Sequence, residues 1–208
     1  PNALILADAF HSEKTGIAGS KIFFAPGHEY HRDRYSKTER GKVIWYAGGL
    51  IDWKNIYASH KGVDEVDHGQ FDGPASTQFV SGCSMMIARS VIDRIGILEE
   101  KYFLYLEDLD YCVRARRAGF DLVYYPSSRI WHVNAGSSGG AGGELHVYYQ
   151  TRNRLLFGMR YASLRAKLAL VREGAVFIAS GSPVKKKAVV DALFGRWGKQ
   201  YESKKIQH

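Results

Sequence analysis

Cysteine is scarce in this sequence: only Cys83 and Cys112 occur among 208 residues. They stand far apart in no metal-like spacing. A disulfide framework is therefore not expected, and two reduced thiols in a cytosolic compartment fit better. Long apolar runs are missing too. No stretch of about 18 apolar residues exists, which excludes a membrane-spanning helix. No charged-then-apolar leader opens the chain, so no signal peptide is expected. The first residue is Pro1 rather than Met, and the opening segment reads as the middle of a domain. Histidine pairs at HxxxH spacing are absent, so no metal site declares itself by spacing, and no internal repeat is found.

What is present is a core. Hydrophobic residues make up 45% of the chain and aromatics 13%, enough for one sizeable buried interior. The net charge of +8 suits anionic partners such as nucleotides and lipid headgroups. Nucleic acid is a poor candidate, because the basic residues are dispersed and no nucleic-acid motif appears.

The patterning predicts alternating strands and helices. Asn2 to Phe10 reads as a short helix and Ile17 to Phe24 as a strand stopped by Pro26 and Gly27. Val43 to Ala47 and Leu50 to Trp53 flank Gly48-Gly49 and suggest a hairpin. His28 to Lys42 and His60 to Ser76 are polar loops. Gln78 to Arg89 is apolar along most of its length, as a strand buried on both faces would be. Gly82 inside it marks a bulge or a close approach to the backbone. Ser90 is placed to cap a helix over Val91 to Ile95. A strand over Phe120 to Tyr125 is expected to end at Pro126, with a separate short strand from Ile130 to Val133. Ala135 to Gly143 reads as a lid or a linker, followed by helices at Leu145 to Tyr161, Leu164 to Ile178 and Ala188 to Phe194.

The chain is organised around Tyr102 to His132. Glu107, Asp108 and Asp110 gather at a helix start, with Leu109, Cys112 and Val113 at helical spacing behind them. Asp108 falls at or beside the N-cap, where free N–H groups and the helix dipole favour an ionised carboxylate. A carboxylate fixed at a strand-to-helix turn suits a general base; an ordinary cap is the plainer alternative. His132, after Trp131, is a candidate metal ligand or a half-buried histidine with a backbone partner. Trp53, Phe103, Tyr105 and Trp131 could stack on a sugar face, although most aromatics are core. Arg152, Arg154 and Arg160 beside Leu155, Leu156 and Phe157 give the region an interfacial character, or that of an amphipathic helix packed on the core.

Taken together, FVSGCSMMIARSVIDRIGILEEKYFLYLEDLDYCVRARRAGFDLVYYPSSRIWH, the later YYQTRNRLLF, and the earlier AGGLIDW and GQFDGP resemble the family 2 glycosyltransferases. The similarity is to the rhamnosyltransferase-like branch and covers roughly Ile17 to Phe157. The resemblance implies an α/β fold of GT-A type, nucleotide-diphospho-sugar transferase-like. Its mixed sheet would be flanked by helices over residues 1–143, with a helical extension over 144–208. It implies an inverting transferase acting on a nucleotide-sugar donor and a glycan or lipid-linked acceptor, in cell-surface polysaccharide synthesis. Asp108 corresponds to the family's catalytic base, and Glu107 would shape the acceptor site. His132 corresponds to a histidine that binds metal in several members. Ser81, Gly82 and Cys83 correspond to the strand beside the donor sugar and acceptor. Arg152 and Asn153 match an Arg-Asn pair, and Trp53 and Trp131 are candidate sugar-stacking residues. A divalent cation, Mn or Mg, is the implied cofactor. A cytoplasmic site at the inner face of the membrane and a homo-oligomer are further expectations.

One departure stands against these matches. Family members begin with a nucleotide-binding half ending in Asp-x-Asp, and the lone Asp8 in LILADAF is no such motif. The expectation is therefore a C-terminal, acceptor-side portion that is inactive alone. The rival expectation is a non-catalytic module binding acceptor, membrane or partner.

Overall fold

Thr15–Phe24 is buried at every position, and one half of the fold is built around it. The computed structural model describes residues 2–133 and 142–202. In chain order its elements are α1 (Asn2–Ala7), β1 (Thr15–Phe24), β2 (Ile44–Tyr46), β3 (Gly49–Asp52), β4 (Tyr57–His60), β5 (Ala75–Ser76), β6 (Met85–Ile87) and α2 (Arg89–Ile95). Then follow α3 (Glu107–Arg117), β7 (Asp121–His132), α4 (Glu144–Tyr161), α5 (Leu164–Ser180) and α6 (Pro183–Leu193). The chain forms two compact units. The first comprises Pro1–Ile51, Ala58–Leu98 and Asp108–Asn134; the second comprises Asp52–Tyr57, Glu99–Glu107 and Ala135–His208.

In the first unit β1 is central. It pairs in parallel with β7, and antiparallel with β2 near its C-terminal end and with β6 near its N-terminal end. β5 adds an antiparallel edge on β7. A strand flanked on both sides and covered on both faces has no solvent face, so its apolar residues run without alternation. Lys21 is the exception inside it. Its ammonium is wholly buried and is answered by Asp67 at 2.7 Å and Asp72 at 2.8 Å. One face of the sheet packs Ala18, Val123, Tyr125 and Met86 under Leu6, Ala9 and Phe10. In the second unit Tyr148, Tyr149 and Ala188 form a core with Leu104, Tyr105, Leu145, Val184 and Tyr201.

Several sequence expectations change at the level of pairing. The hairpin expected around Gly48-Gly49 is absent: β2 pairs with β1, and β3 pairs with β4. Gly48, at φ 111°, turns the chain between the two sheets. The buried strand expected over Gln78 to Arg89 is only Met85–Ile87. Phe79 and Val80 are core residues, but Ser84 N donates to Ser81 O and makes a turn of the next residues. Ser90 does not cap α2, whose N-cap is Ala88. Pro126 does not end a strand either. β7 runs through it, and the register steps from Ser20↔Tyr125 to Lys21↔Arg129. A proline has no N–H for the ladder, so the chain bypasses it with a bulge. Ser128 there bonds to Ser20 at 2.8 Å. The later helices are closed as their sequence suggests, with Ser163 and Ser182 side chains accepting from Ala166 N and Lys185 N. The glycine-rich stretch expected as lid or linker falls mostly on residues 134–141, outside the described residues.

Candidate functional site

α3 starts at Glu107, so Asp108 lies in the first turn and not at the cap. Its carboxylate is nonetheless fixed from two directions. Oδ2 accepts from Gly82 N at 2.9 Å, and Oδ1 accepts from Leu109 N at 2.8 Å. The turn at Ser81 supplies the first donor. Ser81 is buried, its Oγ accepts from Cys83 N at 3.3 Å, and Gly82 is left exposed facing the carboxylate. Cys83 is also exposed, whereas Cys112 is buried and its sulfur accepts from Val80 N at 3.2 Å. The stretch Ser81 to Cys83 and Asp108 therefore form one corner of the first unit.

The pKa of Asp108 moves in the opposite direction from that expected for a dipole-held carboxylate. Burial raises its pKa above the ordinary aspartate value, and the N–H groups of Gly82 and Leu109 offset this only in part. A carboxylate held by a few directed donors while desolvated is a stronger base than one in water. Each oxygen also has a second lone pair in the inventory of a carboxylate.

His132 lies at the end of β7, paired with Phe24. Its ring stands 4.6 Å from that of Trp45, which in turn stands 4.3 Å from His60. His132 Nδ1 is buried with no hydrogen-bond partner. Burial lowers the pKa of His132 and holds that of His60 down at about 4, so both rings are neutral near pH 7. An orphan nitrogen on a neutral imidazole has the chemistry of a metal ligand. Among the described residues, however, no group of three His, Cys, Asp or Glu side chains is placed to hold a metal ion. These residues do not by themselves make a site for a divalent cation. Spacing gave no signal for Trp45 or His60, because a β2 tryptophan and a β4 histidine meet near β7 only through the fold.

Trp131 is 54% exposed. It stacks on Phe23 at 5.6 Å and donates to Gly41 O at 2.8 Å, leaving part of its ring available. In the second unit Trp53 is 40% exposed and stacks on Phe157 at 5.9 Å.

Arg152 and Asn153, expected at the substrate, are wholly buried. Arg152 donates to Gly198 O at 2.7 Å, Tyr102 O at 2.9 Å and Lys101 O at 3.1 Å. Asn153 Nδ2 donates to the carbonyls of Tyr102, Leu104 and Tyr105. These donors hold a loop in which Phe103, Tyr105 and Leu106 all have left-handed backbones, at φ 63°, 66° and 67°. Non-glycine residues rarely adopt that region, and each costs on the order of 1–3 kcal/mol unless its surroundings impose it. The loop leads directly into Glu107, so the pair positions the chain that enters α3. Arg154 does the same for a second loop. It donates to Asn55 O at 2.6 Å and Ile56 O at 3.1 Å, and Ile56 is again left-handed at φ 57°. The interfacial reading of α4 is corrected by these contacts. Its arginines point inward, with Arg160 paired to Glu99 at 2.8 Å and Arg154 to Glu173.

Over 61 residues the chain is 38% identical to an N-acetylglucosaminyl-diphospho-decaprenol L-rhamnosyltransferase of Mycobacterium tuberculosis, covering 29% of this chain and 20% of that protein. Over 75 residues it is 33% identical to the low-salt glycan biosynthesis hexosyltransferase Agl10 of Haloferax volcanii, covering 36% of this chain and 24% of that protein. The matched stretches thus span a quarter or less of these relatives. The mixed α/β sheet with its flanking helices is consistent with a GT-A-like nucleotide-sugar transferase fold. Residues 9–158, most of the chain, match the family described as glycosyltransferase like family 2, and the chain belongs to that family.

Proposed function

We propose that this chain carries the acceptor side of an inverting glycosyltransferase. It would move a hexose, rhamnose first among the candidates, from a nucleotide-sugar onto a glycan or lipid-linked acceptor in cell-surface polysaccharide synthesis. The observation that carries the reading is Asp108: a partly buried carboxylate, oriented by Gly82 N and Leu109 N, at the mouth of a turn whose glycine is exposed.

The chemistry is a single displacement. Asp108 takes the proton of an acceptor hydroxyl as its oxygen forms a bond to the anomeric carbon. The bond from that carbon to the diphosphate oxygen breaks, and the nucleoside diphosphate leaves with the electron pair. Attack opposite the leaving group inverts the centre. The raised pKa of Asp108 brings it nearer the range in which a general base works best. Glu107, next to Asp108 in the chain, and Ser81, Gly82, Cys83 and Trp131 are proposed to shape the surroundings of the acceptor. Arg152 and Asn153 are proposed to act through the loop they hold.

The mycobacterial relative's name gives L-rhamnose as the sugar and a diphospho-decaprenol-linked N-acetylglucosamine as the acceptor, and this favours a lipid-linked acceptor here. Work at the inner face of a membrane follows from such an acceptor. A divalent cation belongs to the proposal for the complete donor site, with His132 the residue here that would offer it a nitrogen.

The test is transfer of radiolabelled sugar from dTDP-rhamnose and UDP-hexoses to polyprenyl-diphosphate-linked N-acetylglucosamine by the gene's full-length product. Asp108→Asn is run beside the wild type. Labelled product from the wild type alone supports the reading; equal turnover by the variant removes Asp108 from the role of base.

A further inference from the structure

α5 carries a surface that sugar transfer does not use. It buries Ala166, Leu170 and Gly174, a spacing of four that fixes which side faces the second unit's core. On another side Leu164, Leu168, Val171 and Ile178 stand 74, 62, 58 and 40% exposed. At about 100° per residue these four fall on one stripe, with Ala175 between them. Arg165 and Arg172 border the stripe along one edge and Lys167 along the other. The one acid of α5 is Glu173, which is turned to Arg154 in an ion pair. The exposed side is therefore an apolar centre with cationic margins and no acid of its own left over.

We propose that α5 docks on an anionic lipid surface. The helix lies along the membrane plane with Leu164, Leu168, Val171 and Ile178 entering the boundary between headgroups and acyl chains. Arg165, Lys167 and Arg172 reach back to the phosphates. A second copy of the chain is a worse occupant. Pairing two stripes sets cationic margins against each other with no acid to answer them, whereas lipid phosphates answer them directly. The helix lies on the membrane and does not cross it: no helix among the described residues is long and apolar enough to span one. This inference goes beyond the proposed transfer chemistry and does not rest on it, because docking is read out without any sugar.

The experiment is flotation of the 208-residue chain with vesicles of phosphatidylglycerol and phosphatidylcholine, and with phosphatidylcholine alone. The chain is expected to float with the anionic vesicles at low ionic strength. It is expected to be released at about 1 M salt, where screening acts within ~3 Å. Leu168→Asp, and separately the double charge reversal Arg165→Glu with Arg172→Glu, each lower the bound fraction on the order of tenfold. Both sites are on the surface, and circular dichroism checks that the helices remain. Ile97→Ser, at an exposed apolar residue of the first unit, leaves flotation unchanged. Failure to float with anionic vesicles overturns the proposal, as does equal flotation of both α5 variants. A dimer in sedimentation that Leu168→Asp converts to monomer, without vesicle binding, gives the stripe to a second copy instead.

Discussion

Asp108 in the first unit and Arg152 in the second are both ionisable side chains lodged in protein, and they are held in opposite ways. Asp108 receives two backbone N–H groups while its burial pushes it toward the neutral form. Arg152 spends its donors on the carbonyls of Lys101, Tyr102 and Gly198 and on the Asn153 amide. It lies 4.8 Å from the Tyr149 ring centre. The first arrangement leaves a group able to change its protonation state. The second leaves a guanidinium with nothing further to do except hold a backbone in place. The same contrast separates chemistry from architecture among residues that a sequence presents alike, as charged letters beside aromatic ones.

The sharpest break of this comparison is Asp108→Asn. Transfer should fall by about 10²–10⁴-fold, while the thermal midpoint moves little because two opposing changes offset each other. The sign of the first follows from linkage. With its folded pKa raised, Asp108 binds its proton more tightly in the folded chain, so stability declines as pH climbs through that window. A neutral amide removes this penalty but loses one of the two N–H bonds, because its NH2 cannot accept from Gly82 N or Leu109 N. The transfer rate of the wild type should also fall on acidification, beginning at a higher pH than for an ordinary aspartate. A variant that loses stability while keeping its transfer rate would place Asp108 among the architectural groups.

Arg152→Ala should show the reverse pattern. It orphans buried carbonyls of a strained loop, and about 3–5 kcal/mol of stability should go, read from urea unfolding. Arg152→Lys should recover only part, because an ammonium cannot reproduce the planar fork. Asn153→Ala should cost about 1–3 kcal/mol. Near-neutral unfolding curves for both alanine variants would show that the loop holds its left-handed residues without them.

Gly16→Ala probes the first unit away from the site. An added Cβ would meet Phe120 Cβ at 2.6 Å and Val91 Cγ2 at 2.7 Å, so the core must shift, at about 1–3 kcal/mol. The midpoint in denaturant reads this directly, and an unchanged midpoint would mean that β1 and α2 are not packed as described. An effect confined to acid pH is expected at His60. Its folded pKa of about 4 lies below the unfolded 6.5. Its contribution is therefore complete above pH 6.5 and lost as pH falls from there toward 4, with a slope of up to about 1.4 kcal/mol per pH unit. His60→Phe should flatten that part of the stability profile, and an unchanged slope would assign it to other groups.

Much of the fold was legible in the chain. The helices around Leu109, Leu145 and Leu164 follow from spacing, and the strand Ile17 to Phe24 follows from its apolar run. The partners of those strands were not legible. Gly48-Gly49 looks like a hairpin locally, yet β2 is captured by β1 because the longer buried strand offers more apolar surface. Pro126 looks like a stop, yet a bulge lets β7 pass it. At the site, Glu107 and Asp108 stand out by their position after an apolar run. The pKa of Asp108 does not, since desolvation depends on atoms brought from Gly82 and the sheet. Arg152 misleads for the same reason: a buried arginine and a surface arginine are the same letter until the carbonyls around it are known.

The parallel pairing of β1 with β7 has a consequence in time. Thr15 lies opposite Asp121, so β1 cannot meet this neighbour until about 100 further residues have been made. At ~5–20 residues per second that is on the order of 5–20 s. During that interval a ten-residue segment destined for burial still lacks its longest partner strand, and the lysine in its midst waits on Asp67 and Asp72. Newborn chains are therefore expected to pass through a sticky interval that ends when β7 arrives. The copies most exposed to mispairing are those whose synthesis stalls between residues 87 and 121.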